Sequence, residues 1–153
     1  MGLFMNEKIS VLIKIYRVER FFYTHSMKLP AKLLNAVAYL LFNCQLPPSA
    51  VLEDGVNVGH AVGIVVHHNA QIGKNTKIYQ NVTIGGGPIK IGENCFIGAG
   101  AVVLADLGDN VKVGANAVVL KSVPSNCTVV GFGKLIFKSV IEGDASNESI
   151  TGD

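Results

Sequence analysis

Three histidines in the middle of the chain, His60, His67 and His68, are the residues best suited to acid–base work. An imidazole with a pKa near ~6.5 accepts a proton from an alcohol and returns it at neutral pH. His60 stands two residues after Val58, where the surrounding pattern is interrupted. His67 and His68 are adjacent inside a regular stretch. Neighbours on a strand point to opposite faces, so at most one of them is expected beside His60. Zinc needs three convergent ligands, which an adjacent pair supplies poorly. A zinc enzyme of the carbonic anhydrase type is therefore the lesser alternative, and no metal is expected. His25 reads as a helix-end residue without a role. Gly85, Gly86 and Gly87 lack the GK[ST] ending of a P-loop. They read as a tight turn with exposed amides, and the Gly86 N–H could hold an oxyanion if it lies near His60. Cys44, Cys95 and Cys127 are odd in number and show no CxxC spacing, so they read as reduced structural thiols.

The elements that must position these groups follow from one periodicity. Aliphatic residues recur every six positions: Leu52 and Val58; Val66, Ile72, Ile78 and Ile84; Ile91, Ile97 and Val103; Leu107, Val113 and Val119. A smaller apolar residue follows four positions later: Val56, Val62, Ala70, Thr76, Val82, Cys95, Ala101, Val111, Ala117 and Val123. Each hexad is then a short strand and a corner, three hexads make one coil, and stacked coils bury a face that one coil cannot. The glycine that often follows the anchor is expected to supply backbone angles that a β-carbon penalises. The period breaks three times: two extra residues between Val58 and Val66, one between Ile84 and Ile91, and two missing between Val103 and Leu107. Breaks mark loops leaving a rigid scaffold, where sites are built.

Counting through the breaks stacks His60 on Gln80, Ala99 and Ala115, each the second residue after an anchor. A histidine at the head of a column of small residues describes a groove. A long ligand could lie along it with its reactive end at His60 and its amides against the open backbone of Ala99 and Ala115.

Two helices are expected before the coil, about Glu7 to Thr24 and Pro30 to Asn43, with Pro47 and Pro48 ending the helical region. Residues 1–45 hold six bases (Lys8, Lys14, Arg17, Arg20, Lys28, Lys32) against two acids (Glu7, Glu19). A basic face on the first helix suits either solvent or a membrane surface, and solvent is the simpler choice. The net charge of +2 gives no reason to expect nucleic acid. The start lacks a signal-peptide pattern, and the longest apolar run falls short of the ~20 residues that span a bilayer. A cytoplasmic protein is expected. A last strand or helix is expected over Lys134 to Val140. The tail from Glu142 to Asp153, with four acids and no base, reads as disordered.

The stretches HAVGIVVHHNAQIGKNTKIYQNVTIGGG, IGENCFIGAGAVVL and VGANAVVLKSVPSN resemble the serine acetyltransferase branch of the hexapeptide-repeat acyltransferases. They look still more like the short acetyltransferases of bacterial surface-polysaccharide clusters, and the segment IYRVERFFYTHSMKLPAKLLNAVAYLLFNCQLPPSA resembles the start of those enzymes. The resemblance implies an all-β fold: a left-handed parallel β-helix of about four coils behind a short helical segment. It divides the chain into helices over 1–45, coil over 46–131, and a strand or helix with the acidic tail over 132–153. It implies a homotrimer with sites between subunits, acetyl-CoA as donor, and a serine or sugar hydroxyl as acceptor. His60 matches the family's general base. Gly86, Ala99 and Ala115 match positions lining the acetyl-CoA groove, which Gln80 would open. Several positions depart from the family. Gln45 stands where an aspartate orients the base, and Gly59 replaces the acid before it, which leaves Glu53 and Asp54 as substitutes. The basic serine-binding loop shrinks to GPIK, and Lys134 or Lys138 would take over contact with the CoA phosphates. A trimeric scaffold without catalysis is the other alternative.

Overall fold

The computed structural model describes the backbone of residues 2–131 and 134–137 and the side chains of residues 11–131. Lys138 and the acidic tail lie outside the described residues.

Helix α1 (Gly2–Thr24) and helix α2 (Lys28–Phe42) pack against each other and lead into the coil. Pro30 falls in the first turn of α2, where a missing N–H costs nothing. The helix ends at Phe42, one residue before the expected end at Asn43. Asn43 takes the left-handed conformation (φ 49°, ψ 37°) and its N–H donates to the Tyr39 carbonyl. Asn adopts that conformation at little cost.

The coil has three faces. Face A carries β1 (Val51–Leu52), β4 (Gln71–Ile72) and β7 (Lys90–Ile91). Face B carries β2 (Asn57–Val58), β5 (Lys77–Ile78), β8 (Phe96–Ile97), β10 (Lys112–Val113) and β12 (Cys127–Val130). Face C carries β3 (Val65–Val66), β6 (Thr83–Ile84), β9 (Val102–Val103) and β11 (Val118–Val119). All these strands pair in parallel, giving the expected parallel β-helix of about four turns. β13 (Lys134–Phe137) then turns back antiparallel on β12 and covers that edge, so where a last strand or helix was expected the described residues form a strand.

The anchors stack as the period requires. Val58, Ile78, Ile97, Val113 and Val129 form one buried column by strand register. Each such side chain contributes roughly 1.5–3 kcal/mol on leaving water. Cys95 and Cys127 fall in the inner small column, buried as expected, and burial pushes the Cys95 thiol up.

Two positions differ from the expected phase. Val62 is exposed while Ile64 is fully buried, because the extra residues come before Val62 and shift the phase there. Val123 bridges to Leu107 and belongs to the anchor column. The step from Val119 to Val123 is thus a second four-residue hexad, a fourth break. The glycines also work differently from expectation. Gly73 and Gly98 follow anchors without needing unusual φ. A β-carbon there would come within 2.7 Å and 2.6 Å of backbone in the next coil. The left-handed corners fall largely to asparagines, Asn75, Asn81, Asn94, Asn110, Asn116 and Asn126, with φ between 56° and 65°.

The helices cap the first coil. The Tyr16 hydroxyl donates to the Ala50 carbonyl at 2.7 Å and accepts from the Leu52 N–H at 3.2 Å. Arg20 Nη1 donates to the carbonyls of Pro48 and Ala50 at 2.9 and 2.7 Å. Gln45 bridges to Val65, so face C extends upward past its first strand.

Candidate active site

His60 and Ala61 are the two extra residues of the first break. The hydrogen bonds locate them. Asn116 N–H donates to the Ala99 carbonyl, Gly100 N–H to that of Gln80, and Asn81 N–H to that of Val62. The corner column therefore runs Val62, Gln80, Ala99, Ala115. The count that stacked His60 directly on Gln80 is corrected by two residues: Gly59 still sits over Tyr79, the chain bulges through His60 and Ala61, and Val62 rejoins the column. Both bulge residues have positive φ, 63° and 38°. A left-handed alanine is costly and persists only where surrounding packing holds it. The Ala61 methyl is buried in the prism and His60 is left exposed at the head of the column.

Below it, Gln80 and Ala99 are half-buried and Ala115 is exposed. The N–H groups of Ala99 and Ala115 donate to no backbone carbonyl among the described residues. The Gln80 Oε1 is buried without a hydrogen-bond partner among them. This edge of the prism therefore offers a histidine, two free amides and an unsatisfied carbonyl oxygen along one line.

The remaining candidates fall elsewhere. Gly86 (φ 88°) is exposed after β6, on the corner joining face C to face A. His60 is on the corner joining face B to face C. Within one chain the full width of face C separates them, so the N–H expected near His60 does not reach it. His67 and His68 lie on the Gly86 corner. Their rings face one another with centroids 4.1 Å apart, not on opposite faces as expected, because both residues lie beyond the end of β3. His67 Nδ1 accepts the Asn69 N–H at 3.2 Å. Among the described residues no group of three His, Cys, Asp or Glu side chains converges as a metal site would.

Nor does a substitute acid reach His60. Asp54 pairs with Arg17 at 3.2 Å, and with Glu53 it sits one corner earlier, between faces A and B. Gln45 is exposed at the top of face C beside Val65. Lys134 opens β13, at the far end of the coil from the helices.

Two residues at the site went unnoticed in the sequence. The Tyr79 ring lies 6.3 Å from that of His60 and 5.0 Å from that of Phe96, centroid to centroid. The same count applied one residue earlier reaches Tyr79 from Gly59. A β-carbon at Gly59 would come within 3.3 Å of the Tyr79 ring, tighter than an ordinary contact. A longer side chain there would require Tyr79 to move, so glycine at 59 and tyrosine at 79 fit as a pair.

A coil of hexads with a histidine-headed edge defines a hexapeptide-repeat protein. Residues 88–121 match the family model described as the hexapeptide repeat of succinyl-transferase. The chain is 36% identical over 160 residues to a serine acetyltransferase of Synechococcus elongatus, an alignment covering 88% of this chain and 59% of that protein. Its fold matches the Neisseria gonorrhoeae serine acetyltransferase solved in complex with serine, with TM-score 0.75, 34% identity, and 79% of this chain and 53% of that one covered. It also matches a serine acetyltransferase solved in complex with CoA, with TM-score 0.73, 33% identity, and 78% and 55% covered. The chain spans about half the length of the curated relatives it matches. It is a serine acetyltransferase-like member of the hexapeptide-repeat acyltransferases.

Proposed function

We propose that the chain is an acetyl-CoA-dependent O-acetyltransferase acting on the hydroxyl of serine or of a sugar. The observation that carries this is His60 on its strained bulge, heading a groove with free amides at Ala99 and Ala115. The relatives solved with serine and with CoA supply the two substrate classes. In this reading the pantetheine of CoA runs along Gln80, Ala99 and Ala115, its amides meeting those open groups. His60 removes the proton from the acceptor hydroxyl as the oxygen attacks the thioester carbonyl. The tetrahedral oxyanion collapses, the C–S bond breaks, and the proton returns to the departing CoA thiolate. Lys134 and Lys138 stay as candidates for the CoA phosphates.

A trimer completes the site. The outward residues of face C are Gln45, Val65, Thr83, Val102 and Val118, without a charge, and the nearby corners add exposed Val62, Leu104 and Leu120. A neighbouring copy seated on this face would bring its own Gly86 corner to His60 and supply the oxyanion donor that one chain lacks. The relatives favour serine as acceptor, while the Tyr79 ring beside His60 offers an apolar face on which a sugar could lie.

The test measures thiol release from acetyl-CoA with a panel of serine and sugar acceptors. His60→Ala is expected to lower kcat by about 10²–10⁴-fold with unchanged melting and CoA binding. Full activity in that variant would remove His60 from the mechanism. If the native chain neither releases nor binds CoA, the scaffold reading stands instead.

A further inference from the structure

Helix α2 turns Ala31 and Ala38 inward, and both are buried. On its opposite side Leu29, Leu33, Leu40 and Leu41 are 81%, 68%, 82% and 68% exposed, with Val37 between them. These positions repeat at helical spacing and form one stripe. Exposure of this size, concentrated on one face, marks an interaction surface. Exposed Lys28, Lys32 and Tyr39 border the stripe along one side, by their positions around the helix. No acid occurs between Glu19 and Glu53, and Glu19 itself is buried. The surface is thus apolar at its centre and only positive at its rim. Among the described residues no helix is long and apolar enough to cross a membrane, so a lipid contact here would lie along the bilayer surface.

We propose that the leucine stripe of α2 seats the protein on an anionic bilayer surface, the leucines entering the acyl boundary while Lys28 and Lys32 meet the headgroups. Lysines snorkel in this setting, and tyrosine favours the same depth. The inference is independent of the acetyl acceptor.

Co-sedimentation of the full chain with vesicles tests it. The chain is expected to pellet with mixed phosphatidylcholine and phosphatidylglycerol, and far less with phosphatidylcholine alone. Lys28→Glu and Lys32→Glu, both at exposed positions that leave the fold intact, should each weaken binding about fivefold or more, an effect that fades with salt. Leu33→Asp combined with Leu40→Asp should abolish binding without changing the melting temperature. The proposal is overturned if anionic vesicles do not retain the chain, or if the lysine variants bind as the native chain does. It is equally overturned if the leucine pair dissociates an oligomer that never bound vesicles, which would assign the stripe to a second copy.

Discussion

Faces B and C share an interior and differ outside. Both stack valines and isoleucines inward in unbroken buried columns. Outward, face B presents Asn57, Lys77, Phe96, Lys112 and Thr128, while face C presents Gln45, Val65, Thr83, Val102 and Val118. The interior makes a coil, and both faces satisfy it equally. Only the outer column separates a face suited to water from one suited to a neighbouring subunit. His60 and Gly86 stand at the two edges of the apolar face, so in the proposed trimer its outer residues would matter to chemistry without touching substrate.

The sharpest way to break that contrast is to give face C the exterior of face B. Val102→Lys with Val118→Lys puts lysines at the pleat positions that Lys77 and Lys112 already occupy on face B, so the coil should fold. Buried unpaired charges strongly oppose association. The variant is expected to sediment as a monomer and lose about 10²-fold or more in activity, as expected when an oxyanion donor is removed. Lys77→Glu on face B should change neither. A monomeric variant that keeps its activity would show that the site is complete in one chain, and native-sized, active protein would show that face C is not the subunit interface.

Much of the fold was legible because the interior allows little choice. A six-residue period with two phased apolar columns admits few architectures, and the breaks at residues 59–65 and 85–90 were visible as miscounts. The exact seat of His60 was less legible. An insertion between Val58 and Val66 fixes how many residues are extra but not which ones leave the ladder. That choice fell to His60 and Ala61 because Gly63 must take the left-handed corner above Asn81, where a β-carbon would clash. The break at Val123 was hidden because valine suits both the anchor and the small column. The separation of Gly86 from His60 follows from the turns of the prism, which linear spacing does not convey. The outer character of face C was present in the letters at Val65, Val102 and Val118, but it has meaning only once those residues are known to share a face.

A second change acts on the interior that the faces share. Ile97 is fully buried in the face B column between Ile78 and Val113. Ile97→Ala removes stacked methyl groups from a prism that cannot contract at one level, and should cost about 2–5 kcal/mol in chemical denaturation. A loss below about 1 kcal/mol would mean that the coils move together and that the columns are less rigid than their register implies.

The smallest expected effect concerns Glu19, the one buried carboxyl among the described residues. Inside the coil, buried Thr76 is satisfied, donating to the Gly92 carbonyl at 3.0 Å and accepting from the Cys95 N–H at 3.2 Å. Under the helical cap Glu19 is 1% exposed, and its Oε1 has no partner among the described residues. Burial raises its pKa from 4.5 to about 7, opposed by a hydrogen bond from Asn35. The folded chain therefore holds this proton where the unfolded chain has released it. Protonated Glu19 is compatible with the fold below pH 4.5, and its contribution is lost as pH rises toward 7. Glu19→Gln keeps the shape without the titration. Its stability relative to the native chain should improve between those two pH values by at most about 3 kcal/mol, and level off above them. Parallel pH profiles for the two proteins would instead place water or a cation beside Glu19. The cap would then be as well satisfied as the coil below it.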